Sequence, residues 1–280
     1  MSFLEHFRVK REQPVRLADV DPDYKAVKQR EGASEEISAF AARLRELQYL
    51  LYAEHKRSLL ICLQALDAGG KDGTIRHVLG YMNPQSCRVQ AFKVPSAEEA
   101  EHDFLWRIHK AVPRHGEVVI FNRSHYEDVL IARVHNLVPQ HVWSRRYNVI
   151  NAFEKHLYDH GTHILKFYLH ISADEQLRRF KKRLDAPTRQ WKISEADYTE
   201  RRYWDEYTKA YEDALNHCST DTAPWFVVPA NHKWSRNLIV SRIVVEYLEA
   251  LNMRFPKPSV DLADIAQKYH AALQSTEDKR

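Results

Sequence analysis

The chain has 280 residues, 44% of them apolar and 29% charged, a balance that excludes a disordered polypeptide and suits one three-layer α/β core with an insertion. Its formal charge of +4 is too small for this length to imply a polyanionic partner by itself, so the distribution of charge has to decide. No apolar run approaches the ~20 residues that cross a bilayer, and Met1-Ser2-Phe3-Leu4-Glu5-His6 lacks the basic-then-apolar order of a signal peptide. Cys62, Cys87 and Cys218 show no CxxC spacing and leave one thiol over in any intrachain pairing. These features fit a cytoplasmic, reducing setting, with no membrane partner and no zinc site.

In chain order, residues 1–33 carry Pro14, Pro22 and many charges without a sustained period, which predicts an extended arm laid on the fold. Between 34 and 56 the residues Ile37, Phe40, Ala41, Leu44, Leu47, Leu50 and Leu51 recur every three or four positions, as an amphipathic helix requires, with Ser34 as its N-cap. Residues 58–66 are almost continuously apolar, the mark of a strand covered on both faces of a parallel sheet. Runs at 118–121, 164–169 and 225–228 repeat that theme, 88–92 could add a shorter strand, and helical patterns lie between them. Alternating strands and helices predict a parallel, right-handed α/β sheet. No tandem repeat or low-complexity tract is present, so function must sit in local sites.

Directly after the first strand comes Ala65-Leu66-Asp67-Ala68-Gly69-Gly70-Lys71-Asp72-Gly73-Thr74. Glycine is scarce, with seven in the chain, yet Gly69, Gly70 and Gly73 fall within five consecutive positions, which signals a local backbone requirement. A P-loop needs a buried strand, a turn whose N–H groups point inward, a lysine, and a helix whose positive end faces the phosphates. This segment supplies each part, with the helix starting around Ile75 to Leu79. It departs from G-x-x-x-x-G-K-[ST] at Ala65 and Asp72. The missing hydroxyl is normally a Mg²⁺ ligand, which turns attention to Asp67 as a hard oxygen donor inside the loop. The competing reading is a plain strand-to-helix turn with a surface lysine; strand, glycines, lysine and internal acid together favour phosphate.

The run 118–121 leads into Asn122-Arg123-Ser124-His125-Tyr126-Glu127-Asp128, at the strand end where open α/β sheets bind ligands. Asn122 stands where a Walker B acid would sit, so metal coordination falls to Asp128 or Glu127 with Asp67. Ser124 and Glu127 also have the spacing of a capping box, leaving Arg123, His125, Tyr126 and Asp128 available to a ligand. No general-base role is assigned to His125, because a phosphate nucleophile is already largely ionised at neutral pH.

A helix over 174–184 ends before Pro187, and a further helix is expected from 194 to 218, as in a mobile helical hairpin. Between them, residues 176–192 hold Arg178, Arg179, Lys181, Lys182, Arg183, Arg189 and Lys192 against one acid, Asp185. Arg179 and Arg183 lie one helical turn apart, as do Arg178 and Lys182, so adjacent phosphates could meet adjacent side chains. Tyr198, Tyr203, Trp204, Tyr207 and Tyr211 read as packing surface, as do Trp143, Trp225 and Trp234.

With these pieces in order, the sequence resembles the family 2 polyphosphate kinases, particularly the one-domain class III members. The resemblance runs from about residue 44 to 251, through the loop up to Ile75, the segment from Phe121 to Val129, Arg183-Leu184-Asp185 and Pro229-Ala230-Asn231. It implies a three-layer P-loop kinase-like fold with a parallel central sheet and a helical lid at about 174–217, all within a single domain of residues 1–280 whose tail is 256–280. It also implies phosphoryl transfer from inorganic polyphosphate to AMP or ADP, with Mg²⁺ as cofactor and Mn²⁺ as a substitute. By the same resemblance Asp67, Lys71, Arg123 and Asp128 are catalytic, with Asp67 and Asp128 on the metal. Phosphate would be bound by Ala68, Gly69, Gly70, Lys71, Asp72, Gly73, Thr74 and Arg76. The nucleotide would meet Asn122, Arg123, His125, Tyr126, Glu127 and Arg133, and the lid would act through Arg178, Lys182, Arg183, Arg189 and Lys192. Adenine or guanine nucleotides and a homo-oligomer, dimer or tetramer, complete the expected partners, with no nucleic acid among them. Two alternatives share parts of the pattern: an ATP-dependent nucleoside or nucleoside-monophosphate kinase, and a polyanion-binding module without catalysis, against which Asp67, Glu127 and Asp128 argue by repelling a bare polyanion.

Overall fold

The apolar runs become five strands in a computed structural model that describes residues 2–28 and 30–277: β1 (Ser58–Gln64), β2 (Cys87–Ala91), β3 (Val118–Asn122), β4 (Thr162–His170) and β5 (Trp225–Pro229). They form one parallel sheet in the order β2-β3-β1-β4-β5. Every residue of β1 is buried, whereas β2 at the edge is largely exposed, which is why β1 reads as an uninterrupted apolar run and β2 barely reads at all.

Alternate residues of the strands face two helical layers. Leu59, Ile61, Leu63, Ile120, Leu165, Phe167 and Val228 pack with Leu44, Leu47 and Leu51 of α1 (Arg30–Glu54). The same core takes in Ile239, Ile243 and Val244 of a later helix, Lys233–Ala250. On the opposite face Leu60, Cys62, Val119, Phe121 and Ile164 meet Phe153 and Leu157, which belong to the helix Gln140–Asp159. The architecture is a three-layer α/β fold with β1 at its centre.

Three local expectations change. Ser34 is not an N-cap: α1 begins at Arg30 and Ser34 lies inside it, its carbonyl accepting from Ser38 Oγ at 2.9 Å. Burial of Ala33 beneath the layer draws the helix start upstream of the best capping residue. The single helix expected over 194–218 is divided into Glu195–Glu200, a 3-10 turn at Arg201–Tyr203, and Trp204–Cys218. A Ser194–Asp197 capping box starts the first piece, and Arg201 donates to Ala173 O at 3.0 Å and Gln176 Oε1 at 2.8 Å, pinning the turn to the preceding helix, Ala173–Leu184. The 256–280 tail contains a helix, Leu262–Glu277, whose apolar residues Leu262, Ile265, Tyr269 and Leu273 are exposed.

Residues 2–28 lie along the sheet edge and the Lys233–Ala250 helix. Val9 N donates to Trp225 O at 2.9 Å and Arg8 bridges Phe226, while Val9 and Leu17 are buried. Among the described residues no helix is long and apolar enough to cross a membrane.

Candidate active site

Parallel pairing of Leu63 with Asn122 sets the carboxyl ends of β1 and β3 side by side, so the glycine loop and the segment from Asn122 to Asp128 leave the sheet together. The loop turns tightly: Gly69 N donates to Leu66 O at 2.9 Å, Ala68 has φ of 58°, and Gly70 has φ of 114°. The helix begins at Lys71, and the buried Thr74 hydroxyl returns to Gly70 O at 3.2 Å. Lys71 folds back so that its Nζ donates to Ala65 O at 2.7 Å. Burial, then the neighbouring Arg123, lowers its ammonium from the usual lysine range, leaving a cation poised to gain from an anion.

The loop's outward carbonyls are held by one side chain. Arg179 donates to Ala68 O at 2.7 Å, Gly69 O at 3.0 Å and Asn231 O at 3.2 Å, and also to Ala230 O, while its Nε meets Glu175 at 2.8 Å. Arg179 is buried. It is a brace of the loop and not, as its spacing from Arg183 suggested, a free guanidinium for phosphate. Gln176 adds a bond from Nε2 to Asp67 O at 2.8 Å.

Beside the loop opens a cleft of about 300 Å³ whose walls include Asp67, Arg123 and Glu127. Arg123 Nη2 lies 3.3 Å from Asp67 and Nη1 lies 3.9 Å from Glu127. Burial alone would depress the Arg123 guanidinium, but Glu127 and Asp67 more than offset it and hold it above its ordinary value. Its φ of 66° aims it from the strand end into the cleft. Asp197, Glu200 and Arg201 close the far side, with Trp204, Tyr207 and Tyr211 as an aromatic wall. Reading those aromatics as packing alone missed this; the signal was their spacing, which places 204, 207 and 211 on one helix face.

The remaining expected site residues divide sharply. Asn122 Nδ2 donates to Asp72 Oδ1 at 3.1 Å, and Lys192 Nζ reaches Asp72 Oδ2 at 3.2 Å, so the end of β3, the loop and the lid meet at one carboxylate. Burial works against the charge on Asp72, yet the Asn122 and Lys192 bonds outweigh it and keep the carboxyl below its ordinary value. Arg183 faces Asp197 at 3.3 Å; Arg178 is exposed beside Glu175; Lys182, Arg189 and Arg76 are exposed.

Four assignments do not fit the geometry. The His125 and Tyr126 side chains, expected at the ligand, are fully buried: His125 Nε2 lies 3.1 Å and Tyr126 Oη 3.0 Å from Glu154 Oε1. Arg133 is held by Asp213 at 2.5 Å and by Tyr147, over the Trp143 ring, and does not line the cleft. Asp128, expected on the metal with Asp67, gives its carboxylate to Arg146 at 3.1 Å and is not among the cleft walls. Burial raises the Asp128 carboxyl, with Arg146 opposing. The acid that shares the cleft with Asp67 around Arg123 is Glu127.

The family model described as Polyphosphate kinase 2 (PPK2) matches residues 27–256. The chain belongs to that family. Among PPK2-related proteins, it is 51% identical over 257 residues to the AMP/ADP-polyphosphate phosphotransferase of Meiothermus ruber, covering 91% of this chain and 96% of that one. The ADP-polyphosphate phosphotransferase of Rhodopseudomonas palustris is 46% identical over 250 residues, covering 85% and 86% respectively. The crystal structure of polyphosphate kinase 2 from Arthrobacter aurescens superposes with a TM-score of 0.92 at 43% identity over 97% of both chains. The PPK2 model begins within α1's approach and ends just after the last sheet-covering helix, so it takes in the loop, the cleft and the lid.

Proposed function

We propose that the chain transfers the terminal phosphoryl group of inorganic polyphosphate to AMP and ADP. The observation that carries this reading is the cleft itself: Asp67, Arg123 and Glu127 line it beside an aromatic wall, and Lys71 of the loop lies within electrostatic reach of all three. That arrangement supplies phosphate donors on one side and a nucleotide-sized recess on the other. The names of the Meiothermus and Rhodopseudomonas relatives, which specify polyphosphate with AMP or ADP, support the donor and the acceptors.

The work of the protein in such a reaction is positioning and charge neutralisation. Backbone N–H groups of residues 70–73 and the positive end of the following helix hold the donor's terminal phosphates. Lys71, released from Ala65 O by a better acceptor, follows charge onto the bridging oxygen. Arg123 orients the acceptor phosphate while Asp67 and Glu127 keep its guanidinium in place. The hard oxygens of Asp67 and Glu127 suit Mg²⁺, or Mn²⁺ as substitute, which when bound offsets charge between donor and acceptor phosphates. Asn122 supports acceptance of AMP: its amide donates to Asp72, where an acid would set a second negative charge about 3 Å away.

In this reading one catalytic domain carries its lid at 174–217, works in the cytoplasm, and assembles as a homo-oligomer, for which the exposed apolar stripe of Leu262–Glu277 offers contact area. AMP and ADP, incubated separately with polyphosphate and Mg²⁺, should yield ADP plus ATP and ATP respectively, with no added nucleoside triphosphate. Strict dependence on ATP as donor would instead identify a nucleoside-monophosphate kinase. Lys71→Ala should lower kcat by about 10²–10³ with the fold intact by circular dichroism.

A further inference from the structure

One strongly buried charge near the loop is not among the cleft walls. Arg236, in the first turn of the Lys233–Ala250 helix, is 1% exposed. Its Nε and Nη2 both go to the side-chain oxygen of its neighbour Asn237, at 3.2 and 2.7 Å, and no carboxylate among the described residues pairs with it. A buried guanidinium without a counter-charge is expensive, and burial together with Arg179 holds this one down at about 9, far below arginine's ordinary value.

Its surroundings raise the cost further. A Cβ on Gly70 would overlap Arg236 Nη1, and one on Gly73 would lie 3.0 Å from Nη2, so the guanidinium is pressed against the glycine face of the loop. Arg179 Nη1 comes within 3.6 Å of the same Gly70 position, and the acid nearest to Arg179, Glu175, is already shared with Arg178. One turn before Arg236, Lys233 is exposed overall, yet partial burial of its ammonium and then Arg179, Arg236, Arg189 and Lys182 shift it down. Cations from three elements thus gather around Lys233 and the glycine face of the loop.

Resting on the phosphotransferase reading, we propose that Arg236 and Lys233 bind the inner phosphates of the donor chain, which runs from the loop past Gly70 toward the base of the lid. The missing counter-charge is then the substrate's own. A helix of 18 residues beginning at Lys233 adds unsatisfied N–H groups at the same place. Arg236 lies too deep for a solvent-exposed role, and the absence of an acid beside it distinguishes it from Arg123, which Asp67 and Glu127 flank in the cleft. Lys71 and the loop would hold the reacting end, and the Arg236 side would hold the chain behind it.

Steady-state kinetics with long-chain polyphosphate and ADP test this in the intact enzyme. Arg236→Met should raise KM for polyphosphate by about tenfold or more, the effect of losing a charged hydrogen-bonding partner, while KM for ADP stays within about twofold. Arg236→Lys should restore part of the loss, and the melting temperature of Arg236→Met without substrate should match or exceed that of the unmodified enzyme. Equal shifts in both KM values, or none, would overturn the proposal. Should Arg236→Met fail to fold, Lys233→Met decides: its side chain is exposed, and it should raise KM for polyphosphate by about threefold, an unchanged KM refuting the path. If the unmodified enzyme used ATP and not polyphosphate, the functional reading itself would fall, an outcome distinct from an insensitive variant of a polyphosphate-using enzyme.

Discussion

Two clusters of buried charge lie within the same three-layer core, and they are built on opposite terms. Under the segment from Ser124 to Asp128, Lys166 of β4 donates to Glu154 at 2.5 Å, to Tyr126 Oη at 2.8 Å and to Cys218 O at 2.6 Å, while His125 also meets Glu154. Every charge there has its opposite, and Glu154, despite a burial penalty, is kept below its ordinary carboxyl range by Lys166 and His125. Beside the loop, Arg236 lies against Arg179, whose one acid, Glu175, is shared with Arg178 and does not reach Arg236. The first cluster is complete as the chain folds. The second is complete only with an anion present. Equal burial therefore does not imply equal purpose: a satisfied pair fixes a backbone segment, whereas an unsatisfied one waits for a ligand.

The largest expected effect breaks the first cluster. Glu154→Gln leaves Lys166 charged and uncompensated in the core and should cost about 3–5 kcal/mol by denaturant unfolding; joint replacement with Glu154→Leu and Lys166→Met should recover most of that loss. If Glu154→Gln were neutral, the contrast would collapse. Next comes the brace. Arg179→Ala strands four loop and strand-end carbonyls and Glu175, for a loss of about 2–3 kcal/mol, accompanied by lower kcat because the loop is no longer held. Smallest is the lid contact: Lys192→Ala removes a partly exposed pair with Asp72 and should change stability by less than about 1 kcal/mol, an effect weakened further by salt. A large loss there would mean the lid is part of the folded core.

The sheet was legible because β1, β3, β4 and β5 are covered on both faces and so are largely apolar. The glycine loop was legible because its backbone demands leave few residue choices. Pairing was not. Nothing in the order of residues shows that Lys166, inside an apolar run, closes on Glu154, or that Arg179 turns to carbonyls while Arg183 turns to an acid. The same limit explains Asp128 and Glu127: adjacent acids at the end of one strand differ only in which arginine faces them, Arg146 or Arg123. Arg236 was missed because a lone arginine in a helix reads as a surface residue until its depth and its lack of a partner are known.

Gly73 carries a consequence for how such sequences diverge. Its backbone is not in the left-handed region, so the obstacle to a methyl group there is Arg236 Nη2 at 3.0 Å and not strain in the turn. Gly70, with φ of 114°, is barred from substitution on both counts. In descendants of this chain, alanine at 73 should therefore occur together with a shorter residue at 236, whereas glycine at 70 should persist whichever residue stands at 236. Two positions far apart in sequence would then record, by changing together, the space that one guanidinium occupies.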